Sequence, residues 1–208
     1  PAEQQLYAKR YSYSYPHGSP NSCLVASIGT MWSPGAWAKV ADMVMYTRQQ
    51  GFNCWWEELS DTSSVNQSMT NTMRNDALLK ASSIGVEYVL ALDNDALPEP
   101  DMLVRLMNAE VTCIAPFISD TRAEEVCIGS PRRPTGQSQQ PMKWVPFTAL
   151  LLHTSILNCI GVRPFTDTGN EGQFFRLLAR YGHRVWMDTD NQLLVASPPS
   201  YPGELSWD

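Results

Sequence analysis

Short apolar runs alternate with longer amphipathic stretches through the first half of the chain. The apolar runs have the length of buried β-strands, and polar or glycine-containing sequence bounds them. Between them, apolar side chains recur at three- and four-residue spacing, which is typical of a helix with one buried face. The pattern predicts strands at residues 22–28, 52–56, 86–92 and 111–118, and helices at about 34–50, 65–83 and 98–107.

This order of strands and helices predicts an α/β fold built on a mostly parallel central sheet. Parallel neighbours need crossover connections, so helices are expected on both faces of the sheet. Residue types at the predicted helix ends agree with this interpretation: Ser33 and Pro34 suit a helix start, and Gly51 and Gly85 suit helix ends.

The second half of the chain departs from the strict alternation. Residues 119–143 are polar and predict a long loop, which in a compact domain is usually functional or mobile. Beyond it the pattern predicts a strand at 144–152, a short helix at 154–159, a helix at 171–181 and a last strand at 184–187. We expect an N-terminal arm at 1–21, one domain at 22–196 and a Pro-rich tail at 197–208.

One predicted strand delivers two carboxylates to its end. The sequence Glu87-Tyr-Val-Leu-Ala-Leu runs directly into Asp93-Asn94-Asp95. In open α/β folds, ligands bind at the carboxyl ends of the strands. Two close carboxylates repel each other, and an all-oxygen site suits Mg²⁺ or Mn²⁺. The sequence therefore predicts a divalent-cation site at Asp93 and Asp95.

Composition narrows the range of functions. The chain has 208 residues and a formal net charge of −6, which argues against a large nucleic-acid-binding surface. The longest apolar runs are too short to span a bilayer, and the first residues lack the apolar core of a secretory signal. Five cysteines without Cys-x-x-Cys spacing indicate reduced, buried thiols. We therefore expect a cytoplasmic location.

Several motifs occur in a specific order along the chain. Arg74-Asn75 lies in the helix before the Asp93 strand, Pro100-Asp101-Met102-Leu103 follows that strand, and Asn170-Glu171-Gly172-Gln173 comes later. In this order the chain resembles glycosyltransferases of the GT-A fold, close to the compact family-two-like enzymes of phage and bacterial genomes. The resemblance covers roughly residues 22–190. It implies a single Rossmann-like GT-A domain.

The resemblance also implies a reaction. Such enzymes transfer a sugar from a nucleoside-diphosphate sugar to an acceptor hydroxyl, and Asp93 and Asp95 would hold the Mn²⁺ or Mg²⁺ that stabilises the leaving diphosphate. An inverting enzyme needs a general base, which the family places at the start of the helix that Glu171 opens here. Gly172 stands where the family often has Asp, so Glu171 or Asp167 is expected to be the catalytic carboxylate.

The resemblance assigns donor-binding residues more loosely. The loop after the first strand would contact the base, the end of the second strand would accept hydrogen bonds from base or ribose, and the Arg-Asn helix would reach the diphosphate or the carboxylate pair. A later strand would border the sugar and the acceptor. The implied nucleotide-sugar-binding residues are Ser27, Gly29, Thr30, Glu57, Glu58, Arg74, Asn75, Asp93, Asn94, Trp144 and Thr148.

Alternatives stay open at the level of sequence. A nucleotidyltransferase also uses carboxylates and a metal, although residues 27–31 hold one Gly and no basic residue where such enzymes carry a Gly-rich, basic phosphate loop. A non-catalytic nucleotide-sugar-binding homologue is the other alternative, because residues 193–197 lack the His that the family often adds as a metal ligand. A uridine diphosphate sugar is the first donor candidate. The sequence does not distinguish a glycan, a lipid, a protein or a modified nucleobase as the acceptor. It also does not distinguish an inverting from a retaining mechanism.

Overall fold

The computed structural model describes residues 19–29, 34–60, 67–119, 139–166 and 171–195. Strands and helices alternate along these ranges, as the hydrophobic pattern predicts. In chain order the elements are β1 (Ser19–Ile28), α1 (Pro34–Gln49), β2 (Asn53–Leu59), α2 (Gln67–Ile84), β3 (Val86–Asp93), β4 (Ala96–Leu97), α3 (Met102–Met107), β5 (Cys113–Ser119), β6 (Gln139–Met142), β7 (Ala149–His153), a 3₁₀ turn (Thr154–Ile156), α4 (Leu157–Ile160), α5 (Glu171–Arg180) and β8 (Val185–Val195).

The strands form one sheet in the order β2-β1-β3-β7-β5-β8-β4, with β6 also paired to β8. The strands β1, β2, β3, β5 and β8 run in one direction, as their pairings show. The remaining described strands, β4, β6 and β7, run the opposite way. The sheet is therefore mostly parallel in strand direction, which confirms the predicted fold class. The carboxyl ends of β1, β2 and β3 lie side by side at one edge.

Helices cover both faces of this sheet, and each face has its own apolar core. Along β1, Leu24 and Ala26 belong to the core shared with α2, α4 and α5. The alternate residues Cys23 and Val25 belong to the core shared with α1 and α3. This alternation follows from the two-residue side-chain period of a strand. It fixes α2 and α5 on the same face, where they meet near the candidate site.

The last strand is longer than the sequence pattern predicts. The strand expected at 184–187 continues to Val195 as β8. The residues after Met187 are polar, and the register with β5 shifts there, so that Pro116 pairs with Asp188 and Phe117 with Gln192. Inside this bulge, the buried side chain of Asn191 donates a hydrogen bond to the carbonyl of Met102 at 3.1 Å. The extra residues are thus absorbed without ending the strand.

The predicted loop at 119–143 and the strand after it are also corrected. Residues Gln139–Met142 form β6, which the polar Gln-rich sequence did not reveal. The strand predicted at 144–152 begins only at Ala149. Pro146 has no backbone N–H to give to a ladder, in keeping with this later start. Residues 1–18, most of the expected arm, and the tail at 197–208 lie outside the described residues, and β1 takes in residues 19–21.

The cysteines agree with the expected reduced thiols. Cys23, Cys54 and Cys113 are free and buried, Cys159 is free and half-buried, and Cys127 lies outside the described residues. Burial raises the pKa of the Cys54 thiol to about 11, so it stays protonated at neutral pH. Among the described helices, none has both the length and the apolar content needed to cross a bilayer.

Candidate active site

The two carboxylates lie at a tight turn between β3 and β4, at the edge where the strand order predicts a site. The backbone N–H of Asp93 donates to the carbonyl of Thr148 at 2.8 Å, and that of Asn94 donates to the carbonyl of Ile28 at 2.9 Å. Asp93 is also the register partner of Ile28 across the β1–β3 pair. The turn is therefore held from both sides, by β1 and by the segment that enters β7.

Gly29 permits this turn to pack closely against the end of β1. Its φ is +146°, and a Cβ built on it would lie 2.2 Å from Cγ of Asn94. No side chain fits at that distance, so the Asn94 side chain occupies the space that a larger residue would take. The requirement for glycine at this position is thus steric as well as conformational.

Arg74 joins the carboxylate turn to the start of α5. Its side chain is 4% exposed. Its Nη1 donates to Oε1 of Glu171 at 3.0 Å, and its Nη2 lies 3.7 Å from Oδ1 of Asp93. One buried guanidinium therefore faces both the predicted metal ligand and the predicted base. The planar fork of donors suits arginine to such a bridging position.

A cluster of aromatic rings packs against the guanidinium of Arg74. The Cζ of Arg74 lies 4.5 Å from the ring centroid of Phe147 and 6.0 Å from that of Phe165. Phe147 also packs edge-on against Phe165 and Phe174 at 5.3 Å between centroids. A cation over an aromatic face is attracted by the ring quadrupole. The cluster thus restrains Arg74 and ties it to the core beneath α5.

Burial disfavours the charged form of the two aspartates. It is the main reason that the pKa of Asp93 rises from 3.8 to about 7; nearby Asp95 and Glu171 raise it further, and Arg74 opposes them. Burial also raises the pKa of Asp95. A site that disfavours its own negative charges binds a cation with a favourable change in electrostatic energy. The carboxylate oxygens present suit Mn²⁺ or Mg²⁺.

The protein itself offers few metal ligands. In the part of the chain that the structure describes, no group of three or more His, Cys, Asp or Glu side chains could hold a metal ion. Asp93 and Asp95 thus fit a cation that takes one or two carboxylates and completes its shell with substrate phosphates and water. Such a cation would take the rest of its ligands from the phosphorylated ligand and from water.

Asn75 holds the chain segment that leads to α5. Its Nδ2 donates to the carbonyl of Phe165 at 2.7 Å, and its Oδ1 accepts from the Phe165 N–H at 3.0 Å. One turn earlier, Nδ2 of Asn71 donates to the carbonyl of Thr166 at 2.9 Å. These contacts fix residues 165–166 on α2, next to Arg74. Nucleotide binding by Asn75 stays a prediction.

A second polar group lies at the carboxyl ends of β1 and β2. The buried hydroxyl of Ser27 accepts a hydrogen bond from Nε1 of Trp56 at 2.8 Å, and Oε1 of Glu58 accepts one from Nε1 of Trp37 at 2.7 Å. The two indole rings lie 5.1 Å apart. Glu57, by contrast, is paired with Lys80 at 3.3 Å.

The structure thus gathers some predicted residues and separates others. Arg74, Asp93 and Glu171 form one connected group, with Asn94 and Gly29 beside it and Thr148 contributing its carbonyl. Ser27 and Glu58 lie with Trp37 and Trp56 at the neighbouring strand ends. Trp144 is 44% exposed on the segment before β7. Thr30 and Asp167 lie outside the described residues.

Sequence reasoning did not find every residue of the site. It missed Phe147 beneath Arg74, Asn71 beside Asn75, and the pair Trp37 and Trp56. For Asn71 a signal was present, because it lies four residues before Asn75 and therefore on the same helix face. For Phe147 and the two tryptophans, the apolar residue type indicated only a core position.

No protein-family profile and no curated protein matches the chain. Solved structures do match. The catalytic domain of Drosophila β1,4-galactosyltransferase 7, in complex with xylobiose, has a TM-score of 0.53 and 13% identity over 90% of this chain and 75% of that one. A variant of that enzyme, in complex with manganese, UDP-Gal and xylobiose, has a TM-score of 0.52 and 14% identity over the same shares.

A third similar structure is a mannosyltransferase from Pyrobaculum calidifontis in complex with GDP-Man and Mn²⁺. It has a TM-score of 0.54 and 12% identity over 96% of this chain and 66% of that one. All three structures are glycosyltransferases, and the likeness at this identity is one of fold. The chain therefore has the GT-A-like fold that the resemblance implied.

Proposed function

We propose that the protein transfers a sugar from a nucleoside-diphosphate sugar to an acceptor hydroxyl. The observation that carries the proposal is the bridge that Arg74 makes between Asp93 and Glu171. It brings a carboxylate pair suited to a metal-bound diphosphate next to a carboxylate suited to proton removal. An inverting glycosyl transfer uses both functions, one on the leaving diphosphate and one on the acceptor hydroxyl.

Asp93 and Asp95 take the diphosphate end of the donor in this proposal. They would hold a Mn²⁺ or Mg²⁺ ion, which when bound supplies Lewis-acid stabilisation of the leaving diphosphate. The raised pKa values of both aspartates support this role, since a cation restores the charged carboxylates that burial disfavours. The similar structures contain Mn²⁺ with UDP-Gal or manganese with GDP-Man, which favours a nucleotide sugar as the ligand.

Glu171 is the proposed general base of an inverting reaction. It opens α5, its side chain is 39% exposed, and Arg74 fixes one of its oxygens. A carboxylate oriented in this way can take the proton of an acceptor hydroxyl as that oxygen attacks the sugar. Asp167 is the second candidate, since it lies four residues before Glu171 in the same connection. A retaining reaction would not need either carboxylate as a base.

The nucleoside end of the donor is assigned to the strand ends beside Asp93. Ser27, Gly29, Thr30 and Glu58 follow or face the ends of β1 and β2, and Asn94 connects them to the carboxylate turn. We propose a uridine diphosphate sugar as the donor to test first. Trp144 and Thr148 are proposed to border the transferred sugar, because their segment leads directly to the backbone contact with Asp93.

The proposed compartment is the cytoplasm. Four described cysteines are free thiols, and three of them are buried in the two cores. Free thiols persist in a reducing environment, where nucleotide sugars can reach a protein with this fold.

The decisive experiment compares Asp95→Asn with the wild type. Release of the nucleoside diphosphate and transfer to acceptors are measured with a panel of nucleotide sugars and Mn²⁺. Asp95→Asn is expected to lower turnover at least about 100-fold, because the metal loses a charged ligand, while circular dichroism stays unchanged. Asp101→Asn, at an exposed carboxylate outside the site, is the matched control and retains activity.

Two results would contradict the proposal. Full activity of Asp95→Asn would show that the carboxylate pair has no part in the mechanism. Donor binding by the wild type without any turnover would instead identify a nucleotide-sugar-binding protein, the alternative that Gly172 suggests in place of the usual Asp.

A further inference from the structure

A groove of about 730 Å³ lies beside α5. The other walls of the groove are the segment from β6 toward β7 and the turn that enters β8, and twelve residues line it in all. A volume of this size is in the range of sites for small organic ligands. None of the site residues inferred from sequence, apart from Trp144, lies in it.

One end of the groove adjoins the proposed base. Gly172, the residue after Glu171, lines it, and so does Arg176 one turn later. Glu171 and Arg176 are five residues apart, which corresponds to about 7.5 Å along the helix axis. The far end is formed by His183 and Arg184, beyond the end of α5. An elongated ligand in the groove would therefore present one end to Glu171.

The charged side chains of the groove are all basic. Lys143, Arg176 and Arg184 line it, and none of the twelve lining residues is Asp or Glu. Within the described residues, none of these three cations forms an ion pair. Burial lowers the pKa of His183, so this neighbour is neutral at pH 7 and does not oppose the cations. In a chain of net charge −6, this local excess of positive charge selects for an anion.

The rest of the lining is apolar. Met142, Trp144, Phe175, Leu178 and Val185 form most of the wall, and no Asn or Gln contributes to it. A glycan would need side chains that hydrogen-bond to its hydroxyl groups, as sugar-binding sites place convergent polar groups around the ligand. Apart from His183, the side chains that line the groove are apolar or cationic. That combination matches an apolar chain joined to an anionic group.

We propose that this groove binds the acceptor and that the acceptor is an amphiphilic phosphate with a hydroxyl near its phosphate. The inference rests on the proposed function. Arg176 contacts the phosphate, Arg184 and Lys143 add positive charge along the groove, the apolar wall holds the chain, and the hydroxyl reaches Glu171. In the transfer, the hydroxyl oxygen bonds to the anomeric carbon, the bond from that carbon to the diphosphate oxygen breaks, the diphosphate leaves with the electron pair, and Glu171 takes the proton.

Binding of three matched probes tests the chemistry of the groove. Decanoyl lysophosphatidic acid carries chain, hydroxyl and phosphate; 1-decanoylglycerol lacks the phosphate; and glycerol 3-phosphate lacks the chain. Calorimetry below the critical micelle concentration is expected to show the first probe binding at least about tenfold more tightly than either of the others. Equal binding of the first two probes, or of the first and third, would overturn the proposed class.

Variants locate the binding. The double variant Arg176→Gln, Arg184→Gln is expected to weaken lysophosphatidic acid binding about tenfold or more, because charge-assisted hydrogen bonds to phosphate are lost. Arg180→Gln, at an exposed arginine of the same helix that does not line the groove, is the matched control and keeps the affinity. Equal effects of the double variant and the control would place the binding elsewhere and overturn the inference.

Donor binding separates this inference from the proposed function. Titration of a nucleotide sugar with Mn²⁺ into the double variant is expected to give the wild-type affinity, since the groove is distinct from the Asp93–Asp95 turn. Donor binding without binding of lysophosphatidic acid would overturn the acceptor class and leave the proposed function standing. Binding of lysophosphatidic acid without binding of any donor would overturn the acceptor role together with the proposed function.

Discussion

At the scale of single residues, Arg74 has the least freedom of any charged group in the site. It is almost fully buried and faces carboxylates from two separate parts of the chain. Desolvation makes such a cation costly unless its partners remain in place. Arg74 therefore acts as the structural link between the proposed metal ligand and the proposed base, and its own part is to position both.

Replacement of Arg74 by Gln is expected to reduce both stability and turnover. Two partly buried carboxylates lose their shared partner, so the free energy of unfolding should fall by about 1–3 kcal/mol. Turnover should fall by about 100-fold, because Glu171 loses its orienting contact. Denaturant unfolding and donor turnover measure the two effects.

The matched control for Arg74→Gln is Arg105→Gln. Arg105 forms an exposed pair with Asp101 on α3 at 3.9 Å, and such pairs contribute about 0–1 kcal/mol. An Arg74→Gln protein with wild-type turnover would show that the bridge to Glu171 has no part in the reaction.

The raised pKa of Asp93 predicts a pH dependence of stability in the metal-free protein. Its pKa is about 7 in the fold against 3.8 as the ordinary value, with Arg74, Asp95 and Glu171 as the charged neighbours. Between these two values the unfolded chain holds fewer protons at this site than the folded protein. Stability at this site is thus greatest below pH 4, falls as the pH rises to 7 and is constant above that.

Asp93→Asn removes this dependence and provides the measurement. In EDTA, the gain in unfolding free energy of the variant over the wild type should be larger at pH 8 than at pH 4.5, by on the order of 1–3 kcal/mol. Asp42→Asn, at an exposed position on α1, should show no such difference. An equal gain at both pH values would mean that Asp93 titrates normally in the fold.

At the scale of elements, the packing of Gly29 against Asn94 allows a matched test on two glycines. Gly29→Ala would place a Cβ within 2.6 Å of three Asn94 atoms, so the carboxylate turn must shift and donor affinity is expected to fall about tenfold or more. Gly35→Ala meets no atom within 4 Å and lies in the first turn of α1, so it should leave donor affinity unchanged. Donor titration and thermal unfolding are measured for both variants. Unchanged donor affinity in Gly29→Ala would contradict the expected shift of the carboxylate turn.

The elements were predictable where a local pattern determines them. The strand that ends at Asp93 and the helix that opens at Glu171 follow from apolar runs and helix-end residues, and both occur as predicted. The extension of β8 past Asp188 was not predictable, because its polar residues stay in a strand through a bulge and through the contact of Asn191 with Met102. Such tertiary contacts leave no period in the sequence.

The sequence predicted which residue types form the site better than it predicted which of them are in contact. Arg74 was expected near the diphosphate or the carboxylate pair, and the structure places it by Asp93. Its contact with Glu171 spans 97 positions and had no local signal. Asn75 was assigned to the nucleotide from its motif alone, whereas its hydrogen bonds in the fold go to the backbone of Phe165. Both outcomes depend on how α2 packs against the segment before α5.

At the scale of the whole molecule, donor and metal are expected to stabilise the fold only together. On the proposed function, Asp93 and Asp95 would supply two carboxylates, and phosphate oxygens and water would complete the shell of the metal. At a ligand concentration about 100 times its Kd, the expected gain is about 2.7 kcal/mol, or roughly 5–10 °C in Tm for a chain of this size.

Thermal unfolding with Mn²⁺ alone, nucleotide sugar alone and both together measures this coupling. If the Tm shifts with Mn²⁺ alone and with nucleotide sugar alone add up to the Tm shift with both, the two ligands bind independently. That result would contradict joint binding. Mg²⁺ in place of Mn²⁺ tests whether the site distinguishes the two ions.

Because Arg74 contacts Glu171, the complete site can form only late in the synthesis of the chain. A ribosome that adds about 5–20 residues per second needs about 5–20 s to proceed from Arg74 to Glu171, which follow one another by 97 positions. The sheet edge with Asp93 is already synthesised in that interval, but α5 is not. On the proposed assignment, transfer begins only when α5 has docked on α2.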